Sequence, residues 1–174
     1  MAKLGRTKRD FDADLESGRN PPPISIEQAL AAEDPVFEIG TRLAHKPIAA
    51  MSDAEKAFWS VGYFLGDTLN GGLLQTMKNS TGDFLEVVGE FAARYGPPEL
   101  AEIVAGIHAA FPGGRAPADR AGRVDLIEPL LVAEEIDPFE DLTARFYTCE
   151  DAIRAGLVRL VENNRTAFNL MGAT

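Results

Sequence analysis

Leu69-Asn70-Gly71-Gly72-Leu73-Leu74-Gln75-Thr76-Met77-Lys78-Asn79-Ser80-Thr81-Gly82-Asp83 holds a helix stop, a short second helix and a new helix start in one run. Asn-Gly can close a β-hairpin, but a hairpin needs flanks of alternating polarity. Both flanks here repeat their apolar residues at helical spacing. Upstream, Ala54, Ala57, Phe58, Val61, Phe64, Leu65, Thr68 and Leu69 line one face; downstream, Phe84, Val87, Val88, Phe91, Ala92 and Tyr95 line another. The glycine pair therefore reads as a left-handed helix cap, followed by a short helix from Leu73 to Lys78. Asn70, Gly71, Gly72, Gln75, Asn79 and Gly82 take a structural role in this reading, with the amides bracing the turn through backbone groups.

Toward the N-terminus, Ser52 with Glu55 forms a capping box that opens the upstream helix, and Ser25 with Gln28 predicts another over Ile26 to Ala32. A further helix is expected from Pro35 to Leu43. Gly62 and Gly66 lie one turn apart inside the upstream helix, where a close helix crossing would account for them. Residues 1–23 alternate charge and end in Asn20-Pro21-Pro22-Pro23, which reads as a flexible tail. Asp10, Asp12 and Asp14 resemble the start of a calcium loop, but Leu15 stands where glycine is needed and Pro21 where the bidentate glutamate belongs. Calcium is excluded there.

Toward the C-terminus, Gly96-Pro97 stops one helix, and Leu100, Ile103, Val104, Ile107 and Phe111 define the next. Residues 112–122, rich in Gly, Pro and Arg, read as a surface loop. Helices are expected over Val124 to Val132 and around Phe139, Leu142 and Phe146. Thr148 with Asp151 opens the last, whose face is Ile153, Leu157, Leu160 and Val161, continued by Phe168. No alternating strand pattern occurs. The expectation is an all-α, single compact multi-helix domain of about seven to nine helices over residues 24–174, preceded by the tail.

With 174 residues, 45% of them hydrophobic and 25% charged, the chain has the material for one soluble core. The charge-free stretch Ala57–Gly66 is too short to span a bilayer, and the basic N-terminus lacks the apolar segment of a signal peptide. A cytoplasmic address and no membrane association are expected. A single cysteine, Cys149, excludes an intramolecular disulfide framework and a cysteine-rich zinc site. Its neighbours Glu150 and Asp151 disfavour a thiolate, so it reads as a structural thiol. His108 sits at the edge of an apolar stripe and reads as a core-edge histidine. His45 has no ligand at metal-binding spacing. No catalytic motif, metal ligand set or cofactor-binding loop is present, which leans the reading away from an enzyme.

Net charge is −10 and unevenly placed. Residues 1–20 hold five Lys/Arg and four Asp/Glu, leaving 12 basic and 23 acidic residues, or −11, for the remainder. Such a body repels nucleic-acid phosphates and attracts basic partners. From Val124 to Ala144 there are seven carboxylates (Asp125, Glu128, Glu134, Glu135, Asp137, Glu140 and Asp141) and no Lys or Arg. DNA presents one negative charge per about 1.7 Å of axis, so a rigid acidic patch can imitate part of a phosphate array. Glu27, Glu33, Asp34 and Glu38 would extend the patch if they folded nearby.

Ser52-Asp53-Ala54-Glu55-Lys56-Ala57-Phe58-Trp59, then Asn70-Gly71-Gly72-Leu73-Leu74-Gln75, Asn79-Ser80-Thr81-Gly82-Asp83 and late Phe146-Tyr147 resemble a bacterial domain family of mostly unknown function. The family's best-known member type is a dimeric, acidic DNA-mimic protein that binds a transcription factor in place of DNA. The resemblance covers approximately residues 50–170 and implies an all-helical fold. It points to a non-enzymatic interaction domain whose acidic face engages a basic DNA-binding protein. The alternative is a small-molecule-binding or enzymatic domain with a pocket near Asn70, Gln75, Asn79, Trp59 and Tyr63. A homodimer joined through the glycine-lined helix is a third reading.

Overall fold

The periodicity of the apolar residues carries through to three dimensions. The computed structural model describes residues 22–134 and 137–170, and these hold eight α-helices and no strand. In chain order they are α1 (Ile26–Leu30), α2 (Pro35–Ala44), α3 (Asp53–Lys78), α4 (Leu85–Arg94), α5 (Pro98–Ala109), α6 (Arg120–Glu134), α7 (Glu140–Thr148) and α8 (Glu150–Asn163). Single 3₁₀ turns lie at Ile48–Ala50, Ser80–Phe84, Pro112–Gly114 and Arg165–Ala167. Most of the expected tail, with Asp10, Asp12 and Asp14, lies outside the described residues.

The helices gather into two compact units. One takes the chain up to Trp59 and again from Val158; the other is Ser60–Leu157.

In the first unit both capping boxes form. Ser25 Oγ accepts from the Gln28 N–H at 3.2 Å, and Gln28 Oε1 accepts from the Ser25 N–H at 2.8 Å. Ser52 and Glu55 repeat the exchange at 3.1 and 2.8 Å. Glu55 does more than cap: fully buried, it also takes the Lys46 ammonium at 2.7 Å and the Asn169 N–H at 2.9 Å. One carboxylate thus ties the start of α3 to the end of the α2 region and to the segment after α8. Around it Ile39, Leu43, Phe58, Val161 and Phe168 are buried, with Phe58 and Phe168 edge to face at 6.0 Å. Each such side chain contributes about 1.5–3 kcal/mol on leaving water.

In the second unit α4 packs on α5, and α5 on α7. Phe64, Met77, Phe91, Ile103, Ile107, Phe139 and Phe146 fill the core, with ring pairs Phe64–Phe146 and Phe111–Phe139 at 6.1 and 5.9 Å. The helix stop falls where expected, but not as a left-handed cap. Gly71 has φ −152° and ψ 17°, and Gly72 has φ 75° and ψ 176°. Positive φ with extended ψ is open essentially to glycine alone.

Two further expectations are corrected. The last helix is not opened by Thr148 and Asp151: Thr148 ends α7, and its hydroxyl donates to the Arg145 carbonyl at 2.7 Å. The surface loop is shorter than read, because α6 begins at Arg120. Asp119 Oδ1 accepts from the Gly122 N–H at 2.9 Å, satisfying an otherwise orphaned donor of the first turn.

Candidate functional site

Two regions of the second unit bear on function: the turn that follows the glycine break and the acidic run.

The break in α3 is stitched by hydroxyls. Thr76 donates to the Gly72 carbonyl at 3.1 Å and Thr68 to Phe64 O at 2.8 Å; their oxygens lie 2.9 Å apart, both side chains fully buried. The Leu73 N–H, freed by the break, donates to Thr143 Oγ1 of α7 at 3.0 Å. Below the break sits Asp67, to which the sequence reading assigned nothing. Its carboxylate accepts from Gln75 Nε2 at 3.0 Å, from Asn79 Nδ2 at 3.2 and 3.1 Å, and from the Thr81 hydroxyl. Burial pushes the Asp67 carboxyl up, but the hydrogen bonds from Thr81, Gln75 and Asn79 together outweigh it and hold it below the ordinary aspartate range. Gln75 and Asn79 thus donate to a carboxylate of the same turn rather than to the backbone groups expected.

Arg123 is the other residue the sequence reading missed. It is wholly buried on α6, and its guanidinium uses every edge. Nε donates to Met77 O at 2.9 Å, and Nη1 to Pro117 O and Ala118 O at 3.2 and 2.9 Å. Nη2 donates to Asn79 O at 2.9 Å and to the Asp83 carboxylate at 2.6 Å. Gly82 is explained by this: a Cβ there would stand 2.8 Å from the guanidinium. The available signal was an arginine one turn before the apolar Ile127, on the face that α6 buries.

Beside the turn lies an open groove of about 760 Å³. Tyr63, Asp67, Asn70, Asn79, Thr81 and Arg120 line it, and the backbone at Gly62 and Gly66 forms part of its wall. Among the described residues no helix crosses at these glycines, contrary to expectation: a Cβ added to either would meet nothing within 4 Å beyond its own helix.

The acidic run is split between two helices. Asp125 and Glu128, three residues apart on α6, are exposed, and Glu128 lies 3.7 Å from Lys78 Nζ. Glu140 and Asp141 are exposed in the first turn of α7, where the helix dipole favours carboxylates. Asp137 is half-buried and structural: its Oδ1 accepts from the Phe139 N–H at 2.8 Å. The Glu134 side chain and Glu135 lie outside the described residues. Of the N-terminal acids expected to extend the patch, Glu38 is buried and paired with Arg42 at 2.5 Å, and Asp34 caps α2 through the Phe37 N–H at 3.0 Å.

The basic residues are largely occupied. Of the 12 beyond residue 20, Arg42, Lys46, Lys56, Lys78, Arg115, Arg123, Arg145 and Arg154 each pair with a carboxylate, at 2.5–3.7 Å. Asp125, Glu140 and Asp141 enter no ion pair among the described residues.

The remaining candidates for chemistry are ordinary. His108 Nδ1 accepts from the Ala116 N–H at 3.1 Å, which leaves the proton on Nε2 in the neutral ring. Cys149 is buried. Among the described residues no group of three or more His, Cys, Asp or Glu could hold a metal ion, and no helix is long and apolar enough to cross a membrane.

Comparison with known proteins bears on the same residues. The family model of the DMP19-like proteins matches residues 49–164, from just before the Ser52–Glu55 box to just after α8, and the chain belongs to that family. Neither a curated protein nor a solved structure matches it.

Proposed function

We propose that this member of the DMP19-like family is a non-enzymatic protein-interaction domain whose acidic face binds a basic DNA-binding protein in place of DNA. The observation that carries the reading is the asymmetry of charge pairing. Among the described residues, ion pairs occupy eight of the 12 basic residues beyond residue 20, while Asp125, Glu140 and Asp141 are exposed and enter none. Paired charges cancel at a distance, so carboxylates, which outnumber the remaining basic residues, dominate the outward field. A surface of this kind attracts lysine- and arginine-rich proteins and excludes duplex DNA from itself. The likeness of the Asn-Gly-Gly and Asn-Ser-x-Gly turns to a family that includes an acidic DNA mimic supports the same reading.

The test is capture of a basic DNA-binding protein on the immobilised chain at low salt, followed by elution with salt and, separately, with duplex DNA. Mimicry requires a steep fall in binding with salt and displacement by DNA, because both occupy one basic surface. Replacing Asp125, Glu128, Glu140 and Asp141 together by lysine should abolish capture. A partner that stays bound in high salt, or that binds chain and DNA simultaneously, would refute the reading.

A further inference from the structure

The groove beside the glycine break offers a chemistry that the acidic run does not. We propose that it receives one arginine side chain of an extended peptide segment, with the guanidinium on the Asp67 carboxylate and against the Tyr63 ring. The choice of a basic protein as the source of that segment rests on the function proposed above; the fit of the groove does not.

Asp67 is a fixed anion. Three side-chain donors, from Gln75, Asn79 and Thr81, set the plane of its carboxylate before any ligand arrives, so little orientation remains to be lost on binding. Tyr63 stands one helical turn before it on α3, on the same side of the helix, and is 49% exposed. A carboxylate next to an aromatic face suits guanidinium better than ammonium, because a planar cation can stack while its N–H fork still reaches oxygen. Gly62 and Gly66 supply the depth. With no side chain there and, among the described residues, open space above each, a ligand can approach the helix backbone itself. A volume of about 760 Å³ holds an arginine side chain with flanking main chain. On the groove wall Arg120 is held by Nε donating to Lys78 O at 2.7 Å. Its other N–H groups, with the Asn70 amide, suit peptide carbonyls. The anion lies in the groove with a cation on its wall, which matches a cationic side chain projecting from a main chain rich in acceptors.

The experiment is an amide-resolved NMR titration of the full chain with acetyl-Gly-Arg-Gly-amide, alongside its lysine and alanine counterparts. The arginine peptide should give saturable shifts at the Gly62 and Gly66 amides and at the Asn79 side-chain amide. The lysine peptide should bind at least tenfold more weakly, and the alanine peptide should leave these signals unmoved. Gly66→Leu fills the groove without a backbone clash and should weaken the arginine peptide at least tenfold while the melting temperature holds or rises. Tyr63→Ala, which leaves the Asp67 brace alone, should cost three- to tenfold in affinity and serves if the leucine variant fails to fold. Equal binding of the lysine peptide, shifts confined to Asp125, Glu140 and Asp141, or full affinity in Gly66→Leu would each overturn the proposal. The two readings separate cleanly. If lysines at the four surface acids abolish capture of a basic protein and Gly66→Leu does not, the acidic face stands and the groove falls. The opposite pattern sinks the acidic face and keeps the groove.

Discussion

The turn from Asp67 to Asp83 and the run from Asp125 to Asp141 are both polar, yet their charges are handled in opposite ways. In the turn each charged side chain has a partner: Asp67 holds Gln75, Asn79 and Thr81, Lys78 faces Glu128, and Asp83 holds Arg123. In the run, Asp125, Glu140 and Asp141 point to solvent with no ion pair among the described residues. Charges held by partners inside the fold stabilise it, and of the turn's three only Asp67 also lines the groove proposed to take an arginine. Charges left exposed add little stability and keep their field for a binding partner. The charges of the turn are thus held by the fold, and the surface carboxylates are the ones proposed to bind a DNA-binding protein.

Removal of Arg123 should break the contrast most severely. Arg123→Met strands the Met77, Asn79, Pro117 and Ala118 carbonyls and the Asp83 carboxylate, and should cost about 3–5 kcal/mol in urea denaturation. A loss under about 1 kcal/mol would mean the guanidinium cage is not what secures the turn. Next come the glycines. Gly82→Ala pushes a methyl group against the guanidinium, and Gly72→Ala must adopt φ near 75°; each should cost about 1–3 kcal/mol by the same measurement.

Acid sharpens the comparison further. The Asp67 carboxyl is held below its unfolded value of about 3.9. Its contribution is therefore fully present above about pH 4 and is lost as pH falls through the lower, folded value. Stability followed from pH 6 down to pH 2 should drop more steeply in the native chain than in Asp67→Asn; parallel curves would remove the carboxylate from the account of the turn. The smallest expected effect lies at the surface. Asp125→Asn and Glu140→Gln should each change stability by no more than about 0.5 kcal/mol, while each lowers the affinity for a basic partner and reduces its salt dependence. A substantial destabilisation would show that these acids, too, belong to the fold.

Ser25 with Gln28, Ser52 with Glu55, the apolar faces of α3, α4, α5 and α8, and the break at Gly71-Gly72 were all readable from the chain. Each arises between residues at most a few positions apart, where helical geometry sets the spacing. The Arg120 start of α6 was missed because Asp119 is a short, local cap hidden in a glycine- and proline-rich stretch. Glu55 was legible as a cap but not as a tether, since Asn169 lies 114 residues away. Asp67 was not legible as an organising group, and Arg123 only as an arginine on the apolar face of α6. The guanidinium of Arg123 meets Met77, Asn79 and Asp83 across 40 to 46 residues, a distance over which periodicity carries no information. Composition determined that the body is acidic, and hydrophobic spacing determined that it is helical. Only the packing of α6 against the Ser80–Phe84 turn decided which charges would be consumed inside and which would face outward, because a charge in water stays solvated until folding brings its partner alongside.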